Sequence, residues 1–185
     1  MSRFRKLTER VVYAGSLVTA AQAVFEDPSG GTFERDVVHH PGAVVVVPVL
    51  DGGDKVLMVR QYRAAIDAEL LELPAGKRDV ADEPVEVTAH RELAEEVGMT
   101  AGRMEKVAEF YNSPGFCDEH SFLFLATDLA TCDSSAQGVE EEHMTVEVLA
   151  LADVPAMVAD GRITDAKSII GLLLARELLG PHPAA

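Results

Sequence analysis

The sequence has few of the residues that mark disulfide-rich or zinc-stabilised proteins. It contains no tryptophan, aromatic residues make up 5% of its 185 residues, and its only cysteines are Cys117 and Cys132. Neither cysteine belongs to a CxxC pair, and no histidine pair follows at zinc-finger spacing. Isolated cysteines are typical of reduced thiols, so we expect a cytoplasmic protein rather than a secreted disulfide scaffold.

Long hydrophobic runs are also missing. The longest apolar run spans the eight residues from Ala43 to Leu50 and includes Pro48. A helix needs roughly 20 apolar residues to cross a bilayer, so this run predicts a buried strand instead. The basic N-terminal segment has no apolar stretch of the kind found in signal peptides. We therefore predict no membrane partner.

Positive charge is scarce. The chain has 16 lysines and arginines against 31 acidic residues, which gives a formal net charge of −15. Proteins that bind nucleic acid through its backbone have basic surfaces, so nucleic acid is not an expected partner. An anionic membrane surface is disfavoured for the same reason. An acidic protein can still bind a phosphate ester when metal ions screen the charge locally.

The residues that are present suit one compact domain. Apolar residues make up 48% of the chain and charged residues 25%, enough for a real core without wholesale disorder. Val11 to Phe25 and Thr32 to Val38 predict two strands, and Ala43 to Leu50 a strand that is buried on both faces. Pro84 to Val97 and Asp165 to Leu179 predict helices. The mixture predicts an α/β or α+β fold in which a mixed β-sheet is sandwiched between helices.

The predicted helix at Pro84 to Val97 has a concentrated acidic face. Glu92, Glu95 and Glu96 are three and four residues apart, and residues at that spacing share one face of a helix. Leu93, Ala94 and Val97 fall on the other side and can pack inward. Two interpretations are open at this point. The face is either an ordinary solvated surface or a set of hard oxygen ligands for Mg²⁺ or Mn²⁺.

The segment from Arg91 to Met99, together with Gly76 and Glu83 before it, resembles the Nudix box. That box has a glycine, a glutamate and then RE-U-x-EE-x-G-U, in which U is a bulky apolar residue. Seven residues separate Glu83 from Arg91, as in the family. Six separate Gly76 from Glu83, one more than the common pattern. The extra residue affects the loop before the helix and leaves the helix itself unchanged.

The resemblance implies a Nudix fold and a divalent cation, Mg²⁺ or Mn²⁺, as cofactor. The metal ligands that it implies are the backbone carbonyl of Ala75 and the carboxylates of Glu92, Glu95 and Glu96. Gly76 would let the backbone approach ions or substrate closely. Arg91 would act in catalysis by orienting the glutamates through charged hydrogen bonds. The alternative for Arg91 is a simple surface pair with Glu95 one turn away.

Further segments resemble ADP-ribose pyrophosphatases of the Nudix family. Pro114 follows Gly98 by sixteen residues, which resembles the proline that marks this subfamily. The resemblance implies hydrolysis of ADP-ribose to AMP and ribose 5-phosphate. The segments that carry it are Arg35–Ala43, Val59–Arg63, Leu71–Gly76 and Tyr111–Phe116.

The substrate predicted from this subfamily is a small-molecule nucleoside diphosphate sugar. The predicted substrate-binding residues are Arg35, Arg63, Gly76, Pro114 and Glu119. An ordinary surface role remains the alternative for Arg63 and Glu119. Because GDP-sugar hydrolases share parts of the pattern, hydrolysis of a sugar such as GDP-mannose stays open. A non-catalytic nucleotide-binding sensor is disfavoured, since it would be expected to lack box glutamates.

The general base is expected in a late loop, Gly138 to Met144, rather than in the box. An E-x-E pair in that loop would make Glu140 the base and Glu142 an extra metal ligand. Glu141 takes either role if the match shifts by one residue. A merely solvated acidic loop is the competing interpretation.

The resemblance also implies a homodimer in which N-terminal strands embrace the partner. We therefore divide the chain into an N-terminal strand extension at residues 1–40, assigned to dimerisation, and a Nudix hydrolase domain at residues 41–185.

Overall fold

The computed structural model describes residues 3–133 and 143–180. The described residues form ten strands, three α-helices and one 3₁₀ helix. The strands are β1 (Arg5–Ala14), β2 (Thr19–Glu26), β3 (Thr32–His39), β4 (Ala43–Pro48), β5 (Lys55–Arg63), β6 (Ala68–Glu72), β7 (Ala75–Lys77), β8 (Met99–Tyr111), β9 (His120–Thr131) and β10 (Thr145–Ala150). The helices are α1 (Val85–Val97), the 3₁₀ helix Leu151–Asp153, α2 (Val154–Ala159) and α3 (Ala166–Leu179).

The chain divides into two compact units. The first comprises Met1–Gly42 and Phe110–His120, and the second comprises Ala43–Glu109 and Ser121–Ala185. No helix among the described residues is long and apolar enough to span a membrane.

The first unit is built on an antiparallel three-stranded sheet in the order β1-β2-β3. The single strand predicted from Val11 to Phe25 is wrong, because the chain reverses between β1 and β2. The amide of Gly15 donates to the carbonyl of Val18 at 2.9 Å and closes this turn. Glycine favours a turn at Gly15-Ser16, but the apolar residues on both sides of this pair resemble one continuous strand.

The turn between β2 and β3 follows its sequence signature. The Asp27 carboxylate accepts hydrogen bonds from the amides of Ser29 at 2.7 Å and Gly31 at 3.1 Å. Asp and Gly favour such turns because the short acid bonds to nearby backbone amides and glycine tolerates left-handed backbone. These bonds lower the pKa of Asp27, with the Ser29 hydroxyl as the largest contributor.

The second unit contains two sheets. One is four-stranded, in the order β7-β4-β9-β8, and it is mixed because β4 runs parallel to β9 and antiparallel to β7. The other is antiparallel, in the order β10-β5-β6. All six residues of β4 are buried, as its continuous apolar sequence predicts.

Helices cover both faces of the mixed sheet. Helix α1 packs through Leu93 against Val44 and Val46. Helix α3 packs through Gly171 against the side chains of Val47 and Leu123. Successive strand residues point to opposite faces, so the sheet lies between the two helices. The predicted fold, an α+β arrangement with a mixed sheet between helices, is therefore confirmed.

The two long helices end where local signals predict. Helix α1 follows Pro84 and stops at Gly98, whose left-handed φ of 68° lets its amide bond to carbonyls of the last turn. Helix α3 starts after Asp165, which accepts a hydrogen bond from the amide of Ser168. Between β10 and α2, residues Leu151–Asp153 form a 3₁₀ turn.

Candidate active site

Helix α1 carries its acidic residues against the segment that precedes it in the sheet. Glu92 and Glu96 are only 7% and 8% exposed, although both are carboxylates. The amide of Ala75 donates a hydrogen bond to Oε2 of Glu96 at 3.0 Å. A buried carboxylate needs such partners, because removing it from water is costly. The helix and the Ala75 backbone, both predicted to hold a metal, therefore meet in the folded chain.

Gly76 is required by the close approach of Glu92. A Cβ atom at position 76 would overlap the Glu92 carboxylate carbon and both of its oxygens. Residue 76 also pairs with Val44 in the sheet, so its backbone cannot readily move away. Position 76 is a glycine because the Glu92 carboxylate packs directly on its backbone. The sequence predicted a close approach to this backbone, by ions or substrate.

Arg91 contacts three glutamates. Its Nη1 lies 2.8 Å from Oε1 of Glu92 and 2.9 Å from Oε2 of Glu95, and its Nη2 lies 3.4 Å from Oε2 of Glu83. Burial acts to lower the pKa of Arg91, but these carboxylates outweigh it and raise the pKa. The helical pair with Glu95 does form, yet it is one part of a larger cluster.

Glu83, which follows the longer loop before α1, contacts two residues of that helix. Its Oε2 accepts a hydrogen bond from the Thr88 hydroxyl at 2.7 Å and also faces Arg91. Asp82, just before it, has a left-handed φ of 59°. Aspartate is one of the few non-glycine residues that adopt this conformation readily, so it suits the turn before Glu83.

Arg63 is held by a buried acid. Its Nε and Nη2 donate to the two oxygens of Glu72, both at 2.7 Å, and Glu72 is 1% exposed. This bidentate pairing raises the pKa of Arg63, and the nearby negative charge of Glu96 adds to the effect. The guanidinium predicted to bind phosphate therefore sits close to the box helix. Its side chain is 38% exposed, and the two hydrogen bonds to Glu72 fix its orientation.

A cavity in the first unit brings two other predicted residues together. Its volume is about 300 Å³, and Arg35 and Pro114 both line it. Arg35 lies over the ring of Phe33, with Cζ 4.7 Å from the ring centre. The remaining lining residues are Phe25, Asp36, Val37, Tyr111, Gly115, Phe116, Cys117 and Asp118.

The remaining predicted residues are Glu119 and the three acids of the late loop. Glu119 is half-buried just before β9 and does not line the cavity, and its carbonyl accepts a hydrogen bond from Asn112 at 3.3 Å. The three acids predicted as base or extra ligand, Glu140, Glu141 and Glu142, lie outside the described residues.

The chemistry of the box residues suits a hard divalent cation. Among the described residues, no three His, Cys, Asp or Glu side chains already stand in an ion-binding arrangement. The box carboxylates are instead held by Arg91 and by the Ala75 amide. Carboxylates concentrated beside a glycine backbone are nevertheless the oxygen donors that Mg²⁺ and Mn²⁺ prefer. The residues therefore fit the cofactor that the motif implies.

Three residues near Arg63 and Ala75 are not predicted from the sequence: Glu72, which pairs with Arg63, and Lys167 and Ser168, which contact Glu72 and Leu73. In the sequence, Glu72 is one residue of the Leu71–Gly76 segment, and Lys167 and Ser168 belong to the start of the predicted helix at Asp165 to Leu179. A signal for Glu72 is present, since an acid between leucines is expected to be buried only when it has a partner. No comparable signal marks Lys167.

The chain belongs to the NUDIX domain family, whose model matches residues 39–170. It is a hydrolase of this family, and Nudix enzymes generally use divalent metal ions.

Several relatives match over most of their length. The chain is 37% identical to an ADP-ribose pyrophosphatase of Bacillus subtilis (strain 168), covering 89% of this chain and 88% of the relative. It is 35% identical to a methanol dehydrogenase activator of Bacillus methanolicus, over 87% of this chain and 86% of that protein. A crystal structure of an ADP compounds hydrolase superposes with a TM-score of 0.81 at 25% identity, covering 96% and 94% of the two chains.

Proposed function

We propose that this protein hydrolyses the pyrophosphate of ADP-ribose to AMP and ribose 5-phosphate, with Mg²⁺ or Mn²⁺ as cofactor. The observation that carries the proposal is the burial of Glu92 and Glu96 against the Ala75–Gly76 backbone. Similarity to an ADP-ribose pyrophosphatase along most of both chains supports the choice of substrate.

The cation would be held by the carbonyl of Ala75 and by Glu92, Glu95 and Glu96. When bound, such an ion neutralises pyrophosphate charge and lowers the pKa of a bound water. Arg91 would keep the carboxylates of Glu92 and Glu95 in place, because it already pairs with both.

Arg63 would bind a substrate phosphate. Its pairing with Glu72 uses Nε and Nη2, and a guanidinium has further N–H groups with which to fork onto phosphate oxygens. Its closeness to the charge of Glu96 supports a place beside the cation.

The reaction adds one water across the P–O–P bridge. The water oxygen bonds to one phosphorus, the bridging oxygen leaves with the other phosphoryl group, and the water proton must pass to a base. We assign Glu140 as that base and Glu142 as an additional ligand, with Glu141 as the alternative for either role. The E-x-E spacing of the loop supports this assignment.

The cavity of the first unit supports a role for Arg35 and Pro114 in binding the substrate. Its walls combine aromatic rings with one guanidinium, and rings of this kind stack on planar bases. Gly76 and Glu119 complete the proposed binding set. For Glu119, the motif after Pro114 is the only support.

We also propose a homodimer formed through residues 1–40, with residues 41–185 as the hydrolase domain. Every residue of β1 is exposed, including several large apolar side chains. The unpaired cysteines Cys117 and Cys132 are in keeping with a cytoplasmic location.

The substrate is tested by incubating the purified protein with ADP-ribose, GDP-mannose, diadenosine polyphosphates and 8-oxo-dGTP, each with and without Mg²⁺. We expect ADP-ribose to be hydrolysed fastest and only with the cation. Faster turnover of GDP-mannose would indicate that the substrate is another nucleoside diphosphate sugar. If none of the compounds is hydrolysed, the protein is better explained as a nucleotide-binding protein.

The variant Glu96→Gln separates catalysis from binding. We expect a loss of activity of about 10³-fold or more, because an amide is a poor ligand for a hard cation. The folded fraction, measured by circular dichroism, should stay near that of the wild type. Unchanged activity would show that the box helix does not carry the chemistry.

A further inference from the structure

The start of α3 forms a buried polar network with the end of β6. Ser168 is fully buried and Glu72 is 1% exposed, so both depend on protein partners for their hydrogen bonds. The network contains two acids, Glu72 and Asp165, and two cations, Arg63 and Lys167. Its formal charges therefore balance.

Asp165 organises the first turn of the helix. Oδ2 accepts hydrogen bonds from the Ser168 amide at 2.9 Å and the Ser168 hydroxyl at 2.7 Å, while Oδ1 accepts from Lys167 Nζ at 2.6 Å. Burial acts to raise the pKa of Asp165, but Lys167 and Ser168 outweigh it and lower the pKa. The acid is held as an anion.

From this turn, two contacts reach the strand segment before Ala75. The Ser168 hydroxyl accepts a hydrogen bond from the Leu73 amide at 2.7 Å, and Lys167 Nζ lies 3.8 Å from Oε2 of Glu72. Gly171 keeps the helix close, since a Cβ there would lie 2.5 Å from Cδ1 of Leu73.

Both contacts lead to groups of the candidate active site. Glu72 holds the Arg63 guanidinium at both of its oxygens. Leu73 is two residues before Ala75, whose amide holds the Glu96 carboxylate. The first turn of α3 therefore contacts Glu72, which holds Arg63, and Leu73, which lies two residues before the Ala75 amide.

Helix capping alone does not require this network. The Asp165 cap to the Ser168 amide satisfies the helix, whereas a lysine placed near a second buried acid adds a desolvation cost. The additional contacts are explained if Lys167 and Ser168 act on Glu72 and Leu73.

We propose that Lys167 and Ser168 are positioning residues for hydrolysis. Lys167 keeps Glu72 oriented on Arg63, and Ser168 keeps the Leu73–Ala75 backbone in place beneath Glu96. This inference rests on the proposed function for its kinetic readout, but its structural readouts do not depend on the substrate.

The test compares Lys167→Met, Lys167→Arg and Ser168→Ala with the control Ala175→Gly, which weakens the same helix at a buried site outside the network. We expect Lys167→Met and Ser168→Ala to lower kcat/KM for ADP-ribose by about 10- to 100-fold. For Lys167→Met the loss should appear mainly in KM, and Lys167→Arg should recover most of it. Ala175→Gly should lower the melting temperature with little change in kcat/KM.

Two measurements on these proteins need no turnover. Ser168→Ala should speed amide exchange at Leu73 and Ala75 in the metal-free protein more than Ala175→Gly does. It should also weaken Mn²⁺ binding, followed by the electron paramagnetic resonance of free Mn²⁺. If Lys167→Met and Ser168→Ala lower kcat/KM no more than Ala175→Gly does at a comparable loss of melting temperature, the positioning role is wrong.

A wild-type protein that does not hydrolyse ADP-ribose would overturn the proposed function alone. The positioning role is then judged by exchange and Mn²⁺ affinity. It is supported if Ser168→Ala changes both selectively, and it is overturned if Ser168→Ala and Ala175→Gly behave alike.

Discussion

The two compact units distribute charged and apolar side chains in opposite ways. The second unit buries carboxylates, with Glu72 and Glu92 almost fully removed from solvent. The first unit exposes apolar side chains on β1, where Val11 and Tyr13 are 55% and 60% exposed. Burying a charge and exposing a large apolar side chain are both unfavourable, so each needs a separate explanation.

The difference indicates two kinds of role. In the second unit, Arg63, Arg91 and the Ala75 amide compensate the buried acids, so each of these acids has its partner within that unit. In the first unit, nothing among the described residues covers the exposed face of β1. That face is where a partner is expected.

The largest effect on stability is expected from Glu72→Gln. The change removes a buried anion from its bidentate pair, but Arg63 is 38% exposed and can regain water, so we expect a cost of about 2 kcal/mol, below that of a fully buried pair. The measurement is the free energy of unfolding in urea. The matched control is Glu147→Gln, which breaks the exposed Arg60–Glu147 pair on β5 and should cost less than about 1 kcal/mol. Equal costs would remove the distinction between buried and exposed pairs.

The next largest effect is expected from Gly76→Ala. The new methyl group must displace the Glu92 carboxylate, and a shift of about 1 Å in a catalytic group costs on the order of 100-fold in rate. Hydrolysis rates and Mn²⁺ affinity check this. The double variant with Glu92→Ala should be more stable than the sum of the single changes predicts, because the overlap disappears. Additive stabilities would contradict the packing explanation.

A smaller effect, seen in assembly, is expected from Val11→Glu. If β1 lies in a dimer interface, the charge should weaken dimerisation by about tenfold or more while leaving the monomer folded. Analytical ultracentrifugation at several concentrations measures this. Leu178→Glu, at a similarly exposed apolar residue outside the first unit, is the control. A wild-type protein that is monomeric at micromolar concentration would end the dimer proposal.

The smallest effect is expected in the pH dependence of stability, through His39 in the first unit. Nδ1 of His39 lies 2.6 Å from Asp118, and this hydrogen bond, with a further one to Glu9, raises the pKa of His39 above 6.5 despite partial burial. A raised pKa contributes stability that is complete below the unfolded value near 6.5 and is lost as pH rises through the folded value.

The variant His39→Gln tests this sign. The difference in melting temperature between wild type and variant should be larger at about pH 5.5 than at about pH 8.5. The His39–Asp118 pair is partly exposed, so its contribution should stay below about 1 kcal/mol. A difference that grows toward high pH would contradict the proposed protonation state.

How much of the site was predictable depends on how far apart its residues are in the chain. Glu92, Glu95 and Glu96 lie within two turns of one helix, so spacing alone placed them on one face. The contact of Ser168 with Leu73 joins residues 95 positions apart, and no local pattern predicts which distant elements will meet. Arg35 and Pro114 belong to two separate segments that resemble the subfamily, and no local pattern predicts that they line one cavity.

The sequence by itself determined the local features of this protein. The apolar run of β4, the acidic face of α1 and its stop at Gly98 follow from periodicity and backbone preference. Only the tertiary structure decided which buried acid receives which cation, that Gly76 must accommodate a carboxylate, and that the N-terminal segment turns at Gly15. These depend on packing between elements, where the energy of a side chain is set by neighbours that are remote in the chain.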